Sequence, residues 1–166
     1  RKRKKTNLRN TILKAFPVKK LLPKIINIDH HLSHISSSFY CSPFDQSISM
    51  SIDGFGDFAS LVLTKNQNNK IKIISRVLFP NSAGVFYQTL TQYLGFKNYG
   101  DEYKVMGLAS YGTPKYLDKM KDILKFDSKN LFELNLDLFL HHSKGLEMSW
   151  LEGEPKVSNV YNNNLI

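Results

Sequence analysis

The sequence contains one cysteine and no long apolar run, and its first 24 residues contain no acid. The single cysteine, Cys41, excludes an internal disulfide framework and favours a reducing compartment, so we expect a cytoplasmic protein. We also expect Cys41 to be a buried packing residue rather than a nucleophile. No apolar stretch approaches the roughly 18 residues needed to cross a bilayer, so we expect no membrane partner.

The overall composition is that of a globular protein. Of the 166 residues, 42% are hydrophobic and 12% are aromatic, which excludes an intrinsically disordered chain and leaves room for one domain with a core. The chain starts with arginine rather than methionine and stops after Asn-Asn-Asn-Leu-Ile. We therefore expect a fragment of a longer protein.

The first 24 residues form a basic head that carries ten of the 23 Lys and Arg residues and accounts for the formal net charge of +9. Such heads bind nucleic acid or anionic membranes in some proteins. The apolar residues of this head recur at helical spacing, which favours a helix with a solvated basic face. They are Leu8, Ile12, Leu13 and Phe16. A nucleic-acid-binding module is the alternative from another class, but a single aromatic among the basic residues gives little support for base stacking.

The most informative stretch, DHHLSHISSSFYCSPFDQSISMSIDGFGD, begins at Asp29. If it opens with a helix, Asp29 caps that helix, and His30 and His34 lie one turn apart on the same face. The segment SISMSI (residues 47–52) alternates polar and apolar residues as a half-buried strand does, and Asp53 follows it. Two imidazoles and a carboxylate that meet at one point make a divalent metal site with open positions. A surface histidine pair without a metal is the alternative.

An acidic turn with two glycines follows this strand. The pattern D-G-x-G-D is poor material for a packed core and suits a loop whose bare backbone approaches phosphate or metal. We therefore expect a sharp turn at Gly54 and Gly56, with Asp57 beside the same site.

Other signals indicate layers of α and β structure around this stretch. Three short apolar runs predict strands, the last two joined in a hairpin. They are KIINI (residues 24–28), FASLVLT (58–64) and KIKIISRV (70–77). A helix is predicted from Val85 to Leu94, ended by Gly95. Ser82 and Gly84 precede it, either as packing residues or to offer N–H groups to an anion.

The second informative stretch is DEYKVMGLASYG (residues 101–112). It is helix-like, and Gly107 would let such a helix approach another backbone closely. Downstream, the alternation of LFELNLDLFL (residues 131–140) predicts an exposed edge strand. His141 and His142 are adjacent rather than four residues apart, which suits a loop better than a ligand pair.

The order of these motifs resembles that in the N-terminal domain of the NodU/CmcH-type O-carbamoyltransferases. The matching segments are HHLSH, SPF, SIDGFGD, SAGVFYQTLTQYLGF and DEYKVMGLASYG. Those enzymes are similar to the Kae1/TsaD and HypF group. The resemblance implies an α/β fold: a partial actin/Hsp70-like (ASKHA, Kae1-like) domain with a mixed sheet flanked by helices. It would occupy residues 25–166, truncated at both ends, after a basic helical head of residues 1–24.

The resemblance also implies an activity. Family members make carbamoyl-adenylate from carbamoyl phosphate and ATP and pass the carbamoyl group to a hydroxyl of a small-molecule acceptor. A divalent metal, Fe(II) by resemblance, holds the nucleotide phosphate. A C-terminal YrdC-like domain of the same chain would be the missing partner, and the fragment alone would be inactive. A Kae1/TsaD- or HypF-like (threonyl)carbamoyl-transfer protein is the nearer alternative.

Carried over residue by residue, the resemblance assigns roles to particular positions. The metal ligands would be His30, His34 and Asp53, which the helix and strand patterns also bring together. His31 would be either a general base for the acceptor hydroxyl or a supporting residue of the site. The remaining residues expected to contact nucleotide or phosphate are Gly54, Gly56, Asp57, Ser82, Gly84, Glu102, Lys104 and Gly107.

Overall fold

Two antiparallel sheets and six helices make up the part of the chain that the structure, a computed structural model, describes: residues 8–16, 24–96, 98 and 100–144. The helices are α1 (Leu8–Ala15), α2 (His30–Phe39), α3 (Ala83–Tyr93), α4 (Glu102–Ala109), α5 (Leu117–Ile123) and α6 (His141–Lys144). The strands are β1 (Gln46–Gly56), β2 (Ala59–Gln67), β3 (Lys70–Leu78), β4 (Leu124–Asp127) and β5 (Leu131–Leu134). The predicted α/β class is confirmed. The predicted mixed sheet is wrong for the described residues, because every strand pair there is antiparallel.

Strands β1, β2 and β3 form an antiparallel meander because each connection is a two-residue turn. Asp57 and Phe58 join the first two strands, and Asn68 and Asn69 join the second two. All four residues have positive φ, from 50° to 67°. Turns of this kind match the twist of the strands that they join. The predicted hairpin is therefore confirmed, whereas the sharp turn expected at the glycines lies just after them, because β1 continues through Gly56.

Helix α2 packs across one face of this sheet through a small apolar core. Ile35 of α2 lies against Ala59 and Val62 of β2, and all three are at most 1% exposed. Ile71 and Ile73 of β3 border the same core. Burying one such side chain contributes roughly 1.5–3 kcal/mol. This contact fixes α2 on the sheet beside β1.

Strand β1 turns its polar residues toward the protein and its apolar residues toward solvent, the reverse of a simple half-buried strand. Its serines lie on the face that α2 covers, where the hydroxyl of Ser51 is 2.8 Å from Nδ1 of His31. Its apolar residues lie on the opposite face and are exposed. They are Ile48, Met50 and Ile52. Ser51 is buried beneath the imidazole of α2, whereas Ser47 and Ser49 are half-buried.

A second core covers part of the opposite face. Leu61 and Val77 of the sheet pack against Phe132 of the β4–β5 hairpin. A neighbouring cluster joins α3 and α5 to the hairpin and to the 3-10 turn that follows it. Its buried residues are Val85, Ile123, Leu134, Leu138 and Phe139. The exposed edge strand predicted over residues 131–140 is therefore wrong beyond Leu134, because the apolar residues that follow turn into this core.

The segment KIINI (residues 24–28) is not a strand, although its apolar content predicts one. None of the described strands pairs with it, and Ile26 and Ile28 are 70% and 69% exposed. Extended backbone without a partner gains no ladder hydrogen bonds. Cys41 also differs from its prediction: it is exposed, because α2 ends at Phe39 and the cysteine lies in the turn that follows.

The adjacent histidines near the end of the described chain lie in the short helix α6 rather than in a loop. Nε2 of His141 donates to the carbonyl of Pro80 at 2.7 Å. The rings of Phe55, Phe79 and Phe139 surround this imidazole. Burial among them lowers the pKa of His141. A packing role for this histidine follows from these contacts.

The remaining predictions concern the basic head, helix α3 and membrane-spanning helices. The helix predicted in the basic head is confirmed over Leu8–Ala15, and residues 1–7 and 17–23 of the head lie outside the described residues. Helix α3 and its end at Gly95, which has a φ of 91°, are also confirmed. None of the described helices is long and apolar enough to cross a membrane.

Asp29 caps helix α2, as the sequence predicts. One carboxylate oxygen accepts from the Leu32 N–H at 3.0 Å, and the other accepts from Arg76 of β3 at 3.0 Å. Burial alone would raise the pKa of Asp29, but the Leu32 N–H and the Arg76 guanidinium outweigh it and lower the pKa. One side chain therefore starts the helix and attaches it to the far strand of the sheet.

We predict that Asp29→Ala lowers the free energy of unfolding at pH 7 by about 1–2 kcal/mol, since it removes a helix cap and a partly exposed ion pair. Asp29→Asn keeps a cap acceptor and should lose less. Urea denaturation measures both. The lowered pKa means that the carboxylate stabilises the fold above its unfolded value near 3.8 and loses this effect as pH falls through the folded value. A difference between wild type and Asp29→Ala that stays constant in acid would contradict this assignment.

Candidate metal centre

Helix α2 and strand β1 bring three of the predicted site residues to one point. His30 and His34 are one helical turn apart, with ring centroids 4.7 Å apart and Nε2 atoms 3.2 Å apart. The Oδ2 atom of Asp53 lies 2.7 Å from Nε2 of His30. One donor atom from each of the three side chains lies within 4.8 Å of the other two. The structure thus assembles the predicted ligand set.

Asp53 reaches this point because β1 is irregular where it approaches α2. The pairing of β1 with β2 shifts register between Ile52 and Gly56, and such an irregularity re-aims a side chain. The Oδ1 atom of Asp53 accepts from the Gly54 N–H at 2.6 Å. Burial alone would raise the pKa of Asp53, but the hydrogen bonds from His30 and Gly54 outweigh it and lower the pKa. The carboxylate is therefore ionised at neutral pH, as a metal ligand must be.

The geometry of the donor atoms fits a divalent metal ion. Ligand atoms held about 2.1 Å from one metal lie roughly 3 Å from each other, and the two separations from Nε2 of His30 are 2.7 and 3.2 Å. Two imidazoles and one carboxylate leave coordination positions open, as in non-haem Fe(II) and zinc sites. The side chains of His30 and Asp53 are 39% and 42% exposed. The open positions would therefore be accessible to a ligand from solvent.

Two of the expected glycines are needed for packing around these ligands. A Cβ on Gly56 would collide with the imidazole of His30. A Cβ on Gly84 would lie 2.8 Å from the carbonyl oxygen of Asp53, because α3 begins directly against β1. A Cβ on Gly54, in contrast, would have no described atom within 4 Å. Gly56 and Gly84 thus allow the close approach of α2 and α3 to the strand that carries Asp53.

The side chains of Ser82 and Asp57 connect elements of the protein around the site. The Ser82 hydroxyl, which is fully buried, donates to the Gly54 carbonyl at 2.7 Å and accepts from the Val85 N–H at 3.1 Å. Asp57 accepts from the backbone N–H of His30 at 2.9 Å. These bonds fasten α3 and α2 to the two ends of the same turn. Contacts of Ser82 and Asp57 with phosphate or nucleotide stay a prediction.

His31 points away from the candidate metal ligands and into the protein. Its ring is 0% exposed, Nδ1 is 2.8 Å from the Ser51 hydroxyl, and Nε2 is 2.9 Å from the Ala59 carbonyl. A general base needs a nitrogen that can reach the acceptor hydroxyl. Because both nitrogens are occupied, the geometry favours a supporting role for His31 over general-base catalysis.

The residues predicted near nucleotide on α4 are all outside the core, since no residue of that helix is buried. Nζ of Lys104 is 2.7 Å from Oδ1 of Asp101 and 5.9 Å from the centroid of the Phe96 ring. The hydrogen bond with Asp101 raises the pKa of Lys104, so the side chain remains a cation. Glu102 occupies the first turn of the same helix. The close backbone approach predicted at Gly107 is wrong for the described residues, because a Cβ there would have none of their atoms within 4 Å.

Sequence reasoning does not identify two residues that hold this site, Ser51 and Arg76. Ser51 contacts His31, and Arg76 contacts Asp29, which caps α2. The serine alternation in SISMSI is a signal that this strand buries a polar row. Arg76 lies 47 residues from its partner in an ordinary strand sequence, so nothing local to Arg76 predicts the pair.

Comparison with known proteins gives a consistent family match. A sequence model described as carbamoyltransferase N-terminus matches residues 4–154. An uncharacterized protein of Synechocystis is 40% identical over 129 residues, 77% of this chain and 21% of that protein. The nodulation protein NolNO of Sinorhizobium fredii is 40% identical over 107 residues, 64% of this chain and 16% of that protein. The nodulation protein NolO of Bradyrhizobium diazoefficiens is 38% identical over 113 residues, 66% of this chain and 20% of that protein. The chain therefore spans about a fifth of the length of these relatives.

We predict that Gly56→Ala weakens binding of Co(II), used as a spectroscopic probe, by about tenfold or more, because the added methyl group displaces the His30 ring from Asp53. The matched control is Gly54→Ala, where an added methyl group meets no described atom. Visible absorption during Co(II) titration measures both affinities. Equal affinities of the two variants would contradict the contact between Gly56 and His30.

Proposed function

The chain belongs to the carbamoyltransferase N-terminal family, and we propose from this membership that it is part of an enzyme that transfers a carbamoyl group. The donor would be carbamoyl-adenylate, made from carbamoyl phosphate and ATP, and the acceptor would be a hydroxyl of a small molecule. The observation that carries the proposal is the convergence of His30, His34 and Asp53 in a chain of this family. A nodulation factor, an antibiotic sugar or another small metabolite would each supply such a hydroxyl.

The proposed metal ion, Fe(II) by family resemblance, would be held by His30, His34 and Asp53. When bound, it would supply Lewis-acid polarisation of a phosphoryl oxygen and a template for the mixed anhydride. Nε2 of His30 lies 2.7 Å from Oδ2 of Asp53, and because a carboxylate only accepts, this nitrogen carries the proton of that hydrogen bond. Ligation needs that nitrogen unprotonated, so the neutral ring would carry its proton on Nδ1 when the ion is bound.

Nucleotide and phosphate would bind beside this point. The backbone at Gly54, next to Asp53, offers an unobstructed approach. The first turn of α3 begins at Ala83, against the same strand, and helix N-termini attract anions. Lys104 would neutralise phosphate charge, and Glu102 would contact the ribose side. The side-chain bonds of Ser82 and Asp57 to the protein support a role in holding this loop in shape.

We extend the proposal to the fold and the partners. The α/β arrangement of an antiparallel meander with helices beside it is compatible with a partial actin/Hsp70-like (Kae1-like) domain. A YrdC-like domain would supply the carbamoyl-adenylate, and activity would need both. A Kae1/TsaD- or HypF-like transfer protein would use the same metal site, so the identity of the acceptor distinguishes these alternatives. A nucleic-acid-binding module driven by the basic head stays the alternative from another class.

We predict that His34→Ala weakens Fe(II) or Mn(II) binding by about tenfold or more, because it removes one of three ligands. The matched control is His142→Ala, which removes an exposed histidine from α6. Anaerobic titration calorimetry measures the affinities, and thermal unfolding checks that both variants fold. If His34→Ala and wild type bind the ion equally, the metal site is wrong.

We predict that Lys104→Ala lowers ATP affinity and the rate of carbamoyl transfer with little change in thermal stability, because the side chain lies on a helix without buried residues. Lys121→Ala is the matched control, since Lys121 pairs with Asp118 in the same i,i+3 arrangement on α5. ATP binding is measured on the chain, and carbamoyl transfer on an enzyme of full family length that carries it, with product mass as the readout. Loss of activity in both variants, or in neither, would remove Lys104 from the site.

A further inference from the structure

The buried imidazole next to the ligand His30 joins helix α2 to two different strands. We propose that Ser51 and His31 are positioning residues, which set the rotation of α2 and so hold His30 against Asp53. The purpose of this arrangement rests on the proposed function, whereas its hydrogen bonds are observed directly. Neither residue contacts the reacting groups in this proposal.

The hydrogen bonds define the state of the His31 ring. The Ala59 carbonyl can only accept, so Nε2 of His31 carries the proton and donates to it at 2.9 Å. In the neutral ring, Nδ1 then accepts from the Ser51 hydroxyl at 2.8 Å. Ser51 lies on β1 and Ala59 on β2, and the two residues are 7% and 0% exposed. The ring therefore spans the two strands beneath the helix with no competition from solvent.

Two anchors on different strands resist rotation of the helix better than one. Ile35 also packs on the sheet, but apolar contacts are not directional and tolerate sliding. A donor atom near the outside of a helix lies about 5–6 Å from its axis, so a rotation of about 10° moves it by about 1 Å. Functional sites need placement to within about 0.5 Å. The bonds of His31 therefore restrict the rotation of α2, to which the distance between His30 and Asp53 is sensitive.

The contacts of His30 itself do not provide this control. Asp57 binds its backbone N–H, which lies near the helix axis, and Gly56 only leaves space for its ring. The ring centroids of His30 and His31 are 5.3 Å apart in an edge-to-face arrangement. Because the two residues are adjacent in α2, movement of the buried ring also moves the more exposed one through the helix backbone.

The test compares two serines on the same face of β1. Ser51→Ala removes the bond from the strand to His31, whereas Ser49→Ala removes a bond within the sheet, from Nδ2 of Asn66 at 2.6 Å. We expect Ser51→Ala to weaken Mn(II) affinity by about tenfold, the lower end of the range for residues behind metal ligands. Ser49→Ala should leave the affinity unchanged. Thermal unfolding reports the stability of both variants.

A second measurement separates this proposal from the metal site. The ¹⁵N chemical shift of Nε2 of His30 in the metal-free protein reports its hydrogen bond to Asp53. We expect a change in Ser51→Ala and none in Ser49→Ala. A change in Ser51→Ala alone, with no Mn(II) binding by wild type, would keep the positioning role and overturn the metal site. An unchanged shift in Ser51→Ala, or equal changes in both variants, would overturn the positioning role.

Discussion

The hydrogen bond between His30 and Asp53 is the contact on which the rest of the site depends. It joins a helix to a strand 23 residues away, and the donor atom that it uses is the one that the proposed metal would need. Its length of 2.7 Å is possible only because α2 lies directly over the end of β1. The packing of Ile35 holds the helix on the sheet, the cap at Asp29 starts the helix, and the irregular end of the strand directs Asp53 toward it.

The residues around this hydrogen bond are constrained by close contacts. The His30 ring occupies the space that a side chain at Gly56 would need, and Gly84 lets α3 begin against the backbone of Asp53. Asp57 is held at a φ of 50° in the turn and binds the first N–H of α2. The acidic glycine motif therefore has a structural use before any ligand binds. Of its two aspartates, Asp53 faces the candidate metal site and Asp57 binds the start of the helix.

Several buried polar side chains lie on α2, β1 and β2. Buried polar groups stabilise a fold only when they are paired, and a paired set specifies one arrangement more sharply than apolar contacts do. His31, Thr64 and Asn66 have such partners. With its serines facing the protein, β1 leaves its apolar side exposed at Ile48, Met50 and Ile52. Stability in this region thus depends on directional bonds as well as on apolar burial.

The sequence by itself determined the local elements of the site: the capped helix with its two histidines, the strand before Asp53 and the hairpin that follows. Spacing and turn chemistry are short-range, so they can be read without a partner. It misplaced KIINI, Cys41 and residues 131–140, because pairing and burial there depend on distant residues. The sequence also predicted that His30 and Asp53 meet, but only the tertiary structure decided how close they lie and that His31 faces inward, since adjacent histidines look alike in sequence and a helix can be rotated freely until something packs against it.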